Sequence, residues 1–272
     1  MTISLKFLNY IQGSHMKPLH HIPAPVAHQI MRVSTQLVHI LGPQVAVVVH
    51  GSIALADFHL GQSDLDMLAF VERADVAQLR QIACIMLAES GQPAPIEFSL
   101  IPYAALTPWV HPAPYLFHYS ESWRVRTQHL LTDPQHDWLA VRIDPDLTAH
   151  MVVAHRAGIV TAGQVVLPLP SRADALAAVW YDIADAVNQV LDEPVYVILN
   201  LCRTACWLRD GVVRSKSAGG CALLPDLTGE AHAVVAAVLA LRDGDDVPVP
   251  DAATLQRVAA ELLRGITASA LQ

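Results

Sequence analysis

In the stretch HGSIALADFHLGQSDLDMLAFVE, residues 50–72, a Gly-Ser pair stands twelve residues ahead of an Asp-Leu-Asp. Asp64 and Asp66 are two residues apart where a strand begins, so their side chains leave the same face of a sheet. Carboxylates that converge in a poorly solvated place repel one another, and the usual remedies are a raised pKa or a bound hard cation. Leu65 and Met67 point into the opposite layer, as a rigid platform requires. An Asp pair at a strand start also serves as a turn or cap device, and Ser63-Asp64 suits that role. Glu97 interrupts PIEFSLI, residues 95–101, a run otherwise fit for burial. If that strand neighbours the one carrying Asp66, three carboxylates meet. Gly51-Ser52, after a buried run, allows a tight turn and offers amide and hydroxyl donors to a phosphate.

The elements that must position these groups follow from periodicity. Val26, Ile30, Val33, Leu37 and Ile40 recur at helical spacing, and Gly42-Pro43 ends that helix. Residues 45–49, 66–71 and 95–101 are apolar runs of strand length, and residues 74–88 carry a helical pattern between the last two. Helix, strand, loop, strand, helix, strand makes an α/β unit with a mixed sheet. Residues 102–123, rich in Pro and aromatics, read as a long ordered excursion, and residues 146–157 as a helix. Pro168, Pro170 and Ser171 mark a boundary, after which helices are expected over 173–190, 194–209, 228–241 and 251–266. The fold class expected is therefore α+β: a mixed-sheet domain over 17–168 and a helical bundle over 169–272. Residues 1–16 contain Gly-Ser-His-Met, resemble a cloning scar and are set aside as a tag or disordered.

Bulk properties narrow the function. The net charge of −8 argues against nucleic acid, which needs clustered Lys and Arg. No apolar run reaches the roughly 18 residues that span a bilayer, and no export signal precedes the fold, so a cytoplasmic protein is expected. Cys84, Cys202, Cys206 and Cys221 fit no disulfide framework, and Cys202 and Cys206 share a helix face as core residues. His150 and His155, five apart, make a poor zinc pair, as does His20-His21 near the start. There is no Walker or dinucleotide fingerprint.

Taken together, the motifs resemble the nucleotidyltransferase superfamily that includes DNA polymerase β. They are similar in particular to the aminoglycoside (3″)(9)-adenylyltransferases, with their Tyr-Gly-Ser, Ser-Asp-Ile-Asp and Glu-Val-Thr elements. Here those stand as His50-Gly51-Ser52, Ser63-Asp64-Leu65-Asp66 and Glu97-Phe98-Ser99. The family's Pro-Trp and Phe-Gly-Glu-Trp are matched by Pro108-Trp109 and by residues 119–123, ending in Trp123. Its Asp-Glu, Leu-Thr-Leu-Ala-Arg helix and later Lys are matched by Asp192-Glu193, by residues 199–203 ending in Arg203, and by Lys216 thirteen on. The likeness spans roughly residues 25–270.

The resemblance implies ATP-dependent transfer of AMP to an antibiotic hydroxyl, conferring resistance. Asp64 and Asp66 would hold one or two Mg²⁺, Glu97 would be the general base, and Gly51, Ser52, Ser63, Arg203 and Lys216 would bind the triphosphate. Trp123, Asp192 and Glu193 would meet the acceptor. Members acting on streptomycin carry a Trp and an Asp in a longer loop before the Arg helix; residues 188–193 are short and lack a Trp, which favours spectinomycin. No aromatic follows Trp207, so a late tyrosine contact is missing. A monomer is expected. The alternatives are an enzyme of the same fold acting on another small molecule or on a protein, as in toxin–antitoxin pairs, and a non-catalytic ligand-binding relative.

Overall fold

A computed structural model describes residues 22–270, so the readings of residues 1–16 and His20-His21 lie outside it. The first helix, α1 (Ala24–Leu41), begins with Pro25 in its first turn and buries the stripe Val26, Ile30, Val33 and Leu37. The sheet starts with β1 (Ala46–Val49), followed by the single turn α2 (Gly51–Ala54) and then β2 (Leu65–Val71). Next, α3 (Val76–Glu89) opens with a capping box in which Asp75 and Gln78 satisfy each other's backbone amides. The chain then forms β3 (Ile96–Pro102), β4 (Ala113–Tyr115), β5 (Phe117–Tyr119), α4 (Arg124–Thr132), β6 (Arg142–Asp144), α5 (Leu147–Ala157) and β7 (Ile159–Ala162).

The main sheet runs β5-β3-β2-β1-β7, with β2 and β3 parallel and the other neighbours antiparallel. It is the mixed sheet expected. Alternation sorts its side chains into two layers. Val47, Val49, Leu65, Met67, Ala69 and Phe98 face α1 and α3. Ala46, Val48, Leu68, Phe70 and Ile101 face Leu147, Met151 and Ala154 of α5. Asp66 and Glu97 share the parity of the second set, so they emerge on the α5 side.

The Pro-rich excursion is not loop throughout. It holds β4 and β5, and β5 extends the sheet at its edge, while β4 pairs with β6. Pro112 and Pro114 hide these short strands from a pattern search, because proline is otherwise a mark against a strand. Neither α4 nor β7 was signalled; α4 is amphipathically weak and β7 is only four residues long.

The C-terminal region is all helical. Ser171 caps α6 (Arg172–Ile183) by accepting from the Asp174 amide. The single helix expected over 173–190 is broken: α7 (Ala186–Gln189) follows as a separate turn. Then come α8 (Pro194–Asp210), α9 (Lys216–Leu223), α10 (Gly229–Asp243) and α11 (Ala252–Ala270). Helix α8 is central, burying Val197, Ile198, Leu201 and Cys202 against Val234, Val235 and Val238 of α10 and Val258, Ala259 and Leu262 of α11. Each such fully buried aliphatic contributes about 1.5–3 kcal/mol. All four cysteines are free. Among the described residues no helix is long and apolar enough to cross a membrane.

Candidate active site

A cleft of about 490 Å³ lies where the sheet's α5 side meets the helical region. Gly51, Ser52, Ser63, Asp64, Asp66 and Glu97 line it from the sheet, and Glu193, Arg203 and Lys216 from the helices. Asp192 and Trp123 are not among its lining residues. Asp192 is exposed just outside α8, whereas Trp123 stacks edge-on against His118 at 4.8 Å and under the Arg126 guanidinium at 4.0 Å. Trp123 thus packs against residues of β5 and α4.

Local backbone geometry builds the carboxylate corner. The His50 amide donates to the Asp66 carbonyl at 3.0 Å, which ties the end of β1 to β2. Gly51 has φ +61°, and a Cβ there would fall 1.6 Å from Asp66 Oδ2. Glycine is therefore required twice, for its backbone conformation and for the space the carboxylate fills. The Ser52 amide donates to the Asp66 carboxylate, while the Ser52 hydroxyl is buried with no partner. An orphaned buried hydroxyl beside a carboxylate pair suits a ligand oxygen.

Parallel pairing places Asp66 directly beside Glu97. Burial, and then the charge of Asp66, raises the Asp64 pKa; burial raises that of Asp66 as well, against the pull of His150 and Lys216. Burial chiefly, with Asp66 and Asp146 adding to it, pushes Glu97 up to about 7, although His150 opposes the shift. Asp64 and Asp66 fit a hard cation: both line the cleft, the charge of one raises the pKa of the other, and positive charge would relieve that repulsion. Among the described residues no group of three His, Cys, Asp or Glu is spaced to hold a metal alone, so such an ion would complete its shell with oxygens of its ligand and water.

Three residues that the sequence did not single out as site residues also line the cleft. His150, on α5, donates toward Asp146 Oδ2 at 3.1 Å and lies 3.8 Å from Glu97 Oε1. Burial alone would lower its pKa, but Asp146 and Glu97 outweigh burial and hold it at about 10, so it is a fixed cation. The available signal was the Asp146-to-His150 spacing of i,i+4 across the start of a helix, not the i,i+5 relation to His155. Tyr196 lies beneath the Lys216 ammonium, 4.0 Å from Nζ to the ring centre. Arg242, on α10, donates to the Asp57 carbonyl at 3.2 Å and to Ser63 Oγ at 3.1 Å.

Lys216 is positioned by a helix start. It opens α9, capped by the Ser215 hydroxyl, which accepts from the Ala218 amide at 3.1 Å. Gly219 brings α9 against α8: a Cβ there would meet Arg203 Cα at 2.5 Å. The two cations are thereby held side by side, and burial, with Arg203 adding to it, pulls the Lys216 pKa down to about 8. Arg203 is held in turn by Asn200 Oδ1 at 2.7 Å, and Asn200 by Asp182 at 2.7 Å.

Residues 164–264 match the family model described as the C-terminal domain of aminoglycoside adenylyltransferase. The helical region is similar to that domain. Among solved structures, a spectinomycin adenyltransferase, AAD(9), from Enterococcus faecialis, crystallised with ATP and spectinomycin, has a similar fold. Its TM-score is 0.75 at 19% identity, and the match covers 89% of this chain and 99% of that one. No curated protein matches by sequence. The mixed sheet and the helical region thus share the α+β architecture of AAD(9), and the cleft lies where the two meet.

Proposed function

We propose that this chain is an ATP- and Mg²⁺-dependent adenylyltransferase that transfers AMP to a hydroxyl of an aminocyclitol antibiotic, spectinomycin in preference to streptomycin, and so confers resistance. The observation that carries this reading is the convergence of Asp64, Asp66 and Glu97 on one wall of a cleft whose other wall presents Arg203 and Lys216. In that reading residues 17–168 form the nucleotidyltransferase domain and residues 169–272 the helical domain that closes on the nucleotide.

Nucleotidyl transfer forms a bond from the acceptor oxygen to the α-phosphorus of ATP and breaks the bond to the bridging oxygen, releasing pyrophosphate. The chemistry demands charge neutralisation on the phosphates, alignment of three centres and a base for the hydroxyl proton. Glu97 is placed to take that proton, and its pKa of about 7 matches a base working near neutrality. His150, anchored by Asp146, fixes the Glu97 carboxylate from behind. Arg203, Lys216 and the Ser52 hydroxyl hold the triphosphate, and Asp64 and Asp66 would hold Mg²⁺, which supplies charge neutralisation when bound. Glu193, at the mouth of the cleft, faces the cationic amines of the acceptor.

The preference for spectinomycin is supported by the short, Trp-free segment 188–193 and by the likeness in fold to AAD(9). Incubation with ATP, Mg²⁺ and an aminoglycoside panel should release pyrophosphate with spectinomycin. No release with spectinomycin or streptomycin would sink the reading.

A further inference from the structure

Arg242 is 6% exposed, yet its guanidinium is incompletely used. Nη2 spans from α10 to the sheet side of the cleft, donating to the Asp57 carbonyl and Ser63 Oγ, with Asp57 Oδ2 farther off at 3.9 Å. Nε is buried with no partner. A buried guanidinium normally uses its fork fully, because an unmade bond to a charged donor is costly. A latch with no other duty would not leave Nε orphaned.

The surroundings point to what is missing. Of the five buried side-chain polar atoms without partners among the described residues, two belong to residues that line this cleft, Ser52 Oγ and Arg242 Nε. Ser217 follows Lys216 and donates its amide to Asp57, the residue whose carbonyl Arg242 holds. Arg203, Lys216 and Arg242 are close enough that both arginines act on the Lys216 charge. Three like charges and two idle donors around one cavity are stabilised together by a polyanion with several acceptor oxygens.

We propose that Arg242 is a third cationic arm for the triphosphate, gripping it from α10 beside Ser63 while Arg203 and Lys216 hold it from α8 and α9. The assignment rests on the nucleotidyltransferase reading of the same cleft. Its consequence is mechanical as well as electrostatic. Arg242 is the arm that also touches the sheet side, so phosphate binding ties α10 to the loop at residues 57–63.

Binding to the full-length protein, measured by calorimetry with ATP, adenosine and inorganic tripolyphosphate, tests this. Arg242→Gln should weaken ATP and tripolyphosphate by about tenfold or more while adenosine changes little, because only the phosphates meet the guanidinium. Arg242→Lys, which keeps the charge and packs more gently, should fall between Gln and the parent, since Lys lacks the fork. An unchanged ratio of ATP to adenosine affinity in either variant overturns the proposal, as does a parent that binds no tripolyphosphate. A parent that binds tripolyphosphate through Arg242 but turns over no antibiotic keeps the assignment and removes the adenylylation reading.

Discussion

Asp66 and Glu97 are direct neighbours in the parallel pairing of β2 and β3, so two carboxylates thirty-one residues apart in sequence emerge side by side on one face of the sheet. Neither side chain can avoid the other without breaking the strand register, and a one-residue slip would send Glu97 into the layer that Phe98 now fills. The electrostatic tension at this corner is therefore built into the backbone, and a bound cation would relieve it.

Replacing Glu97 with Gln should lower kcat by about 10²- to 10⁴-fold, the range expected for loss of a general base. ATP affinity should hold, because the amide keeps the shape and removes one charge from an over-acidic corner. Steady-state pyrophosphate release and calorimetry separate the two. A variant that turns over at the parent rate would falsify the base assignment.

The pH profile follows from the same residue. Glu97 must be ionised to accept a proton, so kcat/KM measured with Mg²⁺ should climb with pH on an acidic limb, its midpoint below the value of about 7 set by burial because the bound cation favours the carboxylate. The acidic limb should vanish in Glu97→Gln; if it persists there, another group sets it.

Gly51→Ala should abolish activity while leaving the helical region folded. The new Cβ would sit 1.6 Å from Asp66 Oδ2, and φ +61° costs a non-glycine residue about 1–2 kcal/mol. Circular dichroism should show a near-native fold with a lowered melting temperature. Parent-like turnover would mean that Asp66 can move without consequence.

Lys216→Met removes a charge while keeping the stem that lies on Tyr196. The expected outcome is a rise in the KM for ATP of about tenfold or more, typical of a lost charge-assisted contact, with the fold retained. A KM within twofold of the parent would exclude Lys216 from the triphosphate.

His118 gives a stability test away from turnover. Burial, with the charge of His150 adding to it, lowers its pKa to about 4, and Nδ1 shares a hydrogen bond with Ser99 Oγ at 2.9 Å. The folded protein thus holds His118 neutral where the unfolded chain, with an ordinary pKa of about 6.5, takes up a proton. Stability contributed by this residue is complete above pH 6.5 and is lost as pH falls toward 4. His118→Asn, which keeps an acceptor near the Nδ1 position, should flatten the slope of denaturation free energy over that interval; an identical slope would contradict the assignment.

The periodicities at Val26–Leu37 and in the three apolar runs were enough to read α1, β1, β2 and β3, because each is long or continuous and its burial is set by local alternation. The same is true of the Gly51-Ser52 turn, the paired aspartates and Glu97, whose residue types announce their chemistry. Elements made by pairing with distant partners left weaker marks. Strands β4 and β5 carry or follow prolines, β7 is short, and α9 is a brief Gly-containing helix whose packing against Arg203 depends on Gly219.

What the sequence determined alone was the α+β plan and the chemical kind of the site, since these rest on alternation, spacing and side-chain type. Which residues share the cleft was decided by the tertiary structure. Strand register set Asp66 beside Glu97, the α5 packing brought His150 to 3.8 Å from Glu97, and the meeting of α10 with the loop at 57–63 brought Arg242 to Ser63 across 179 residues of chain. The Trp123 ring packs against His118 and Arg126 for the same reason, contacts that residue type does not announce.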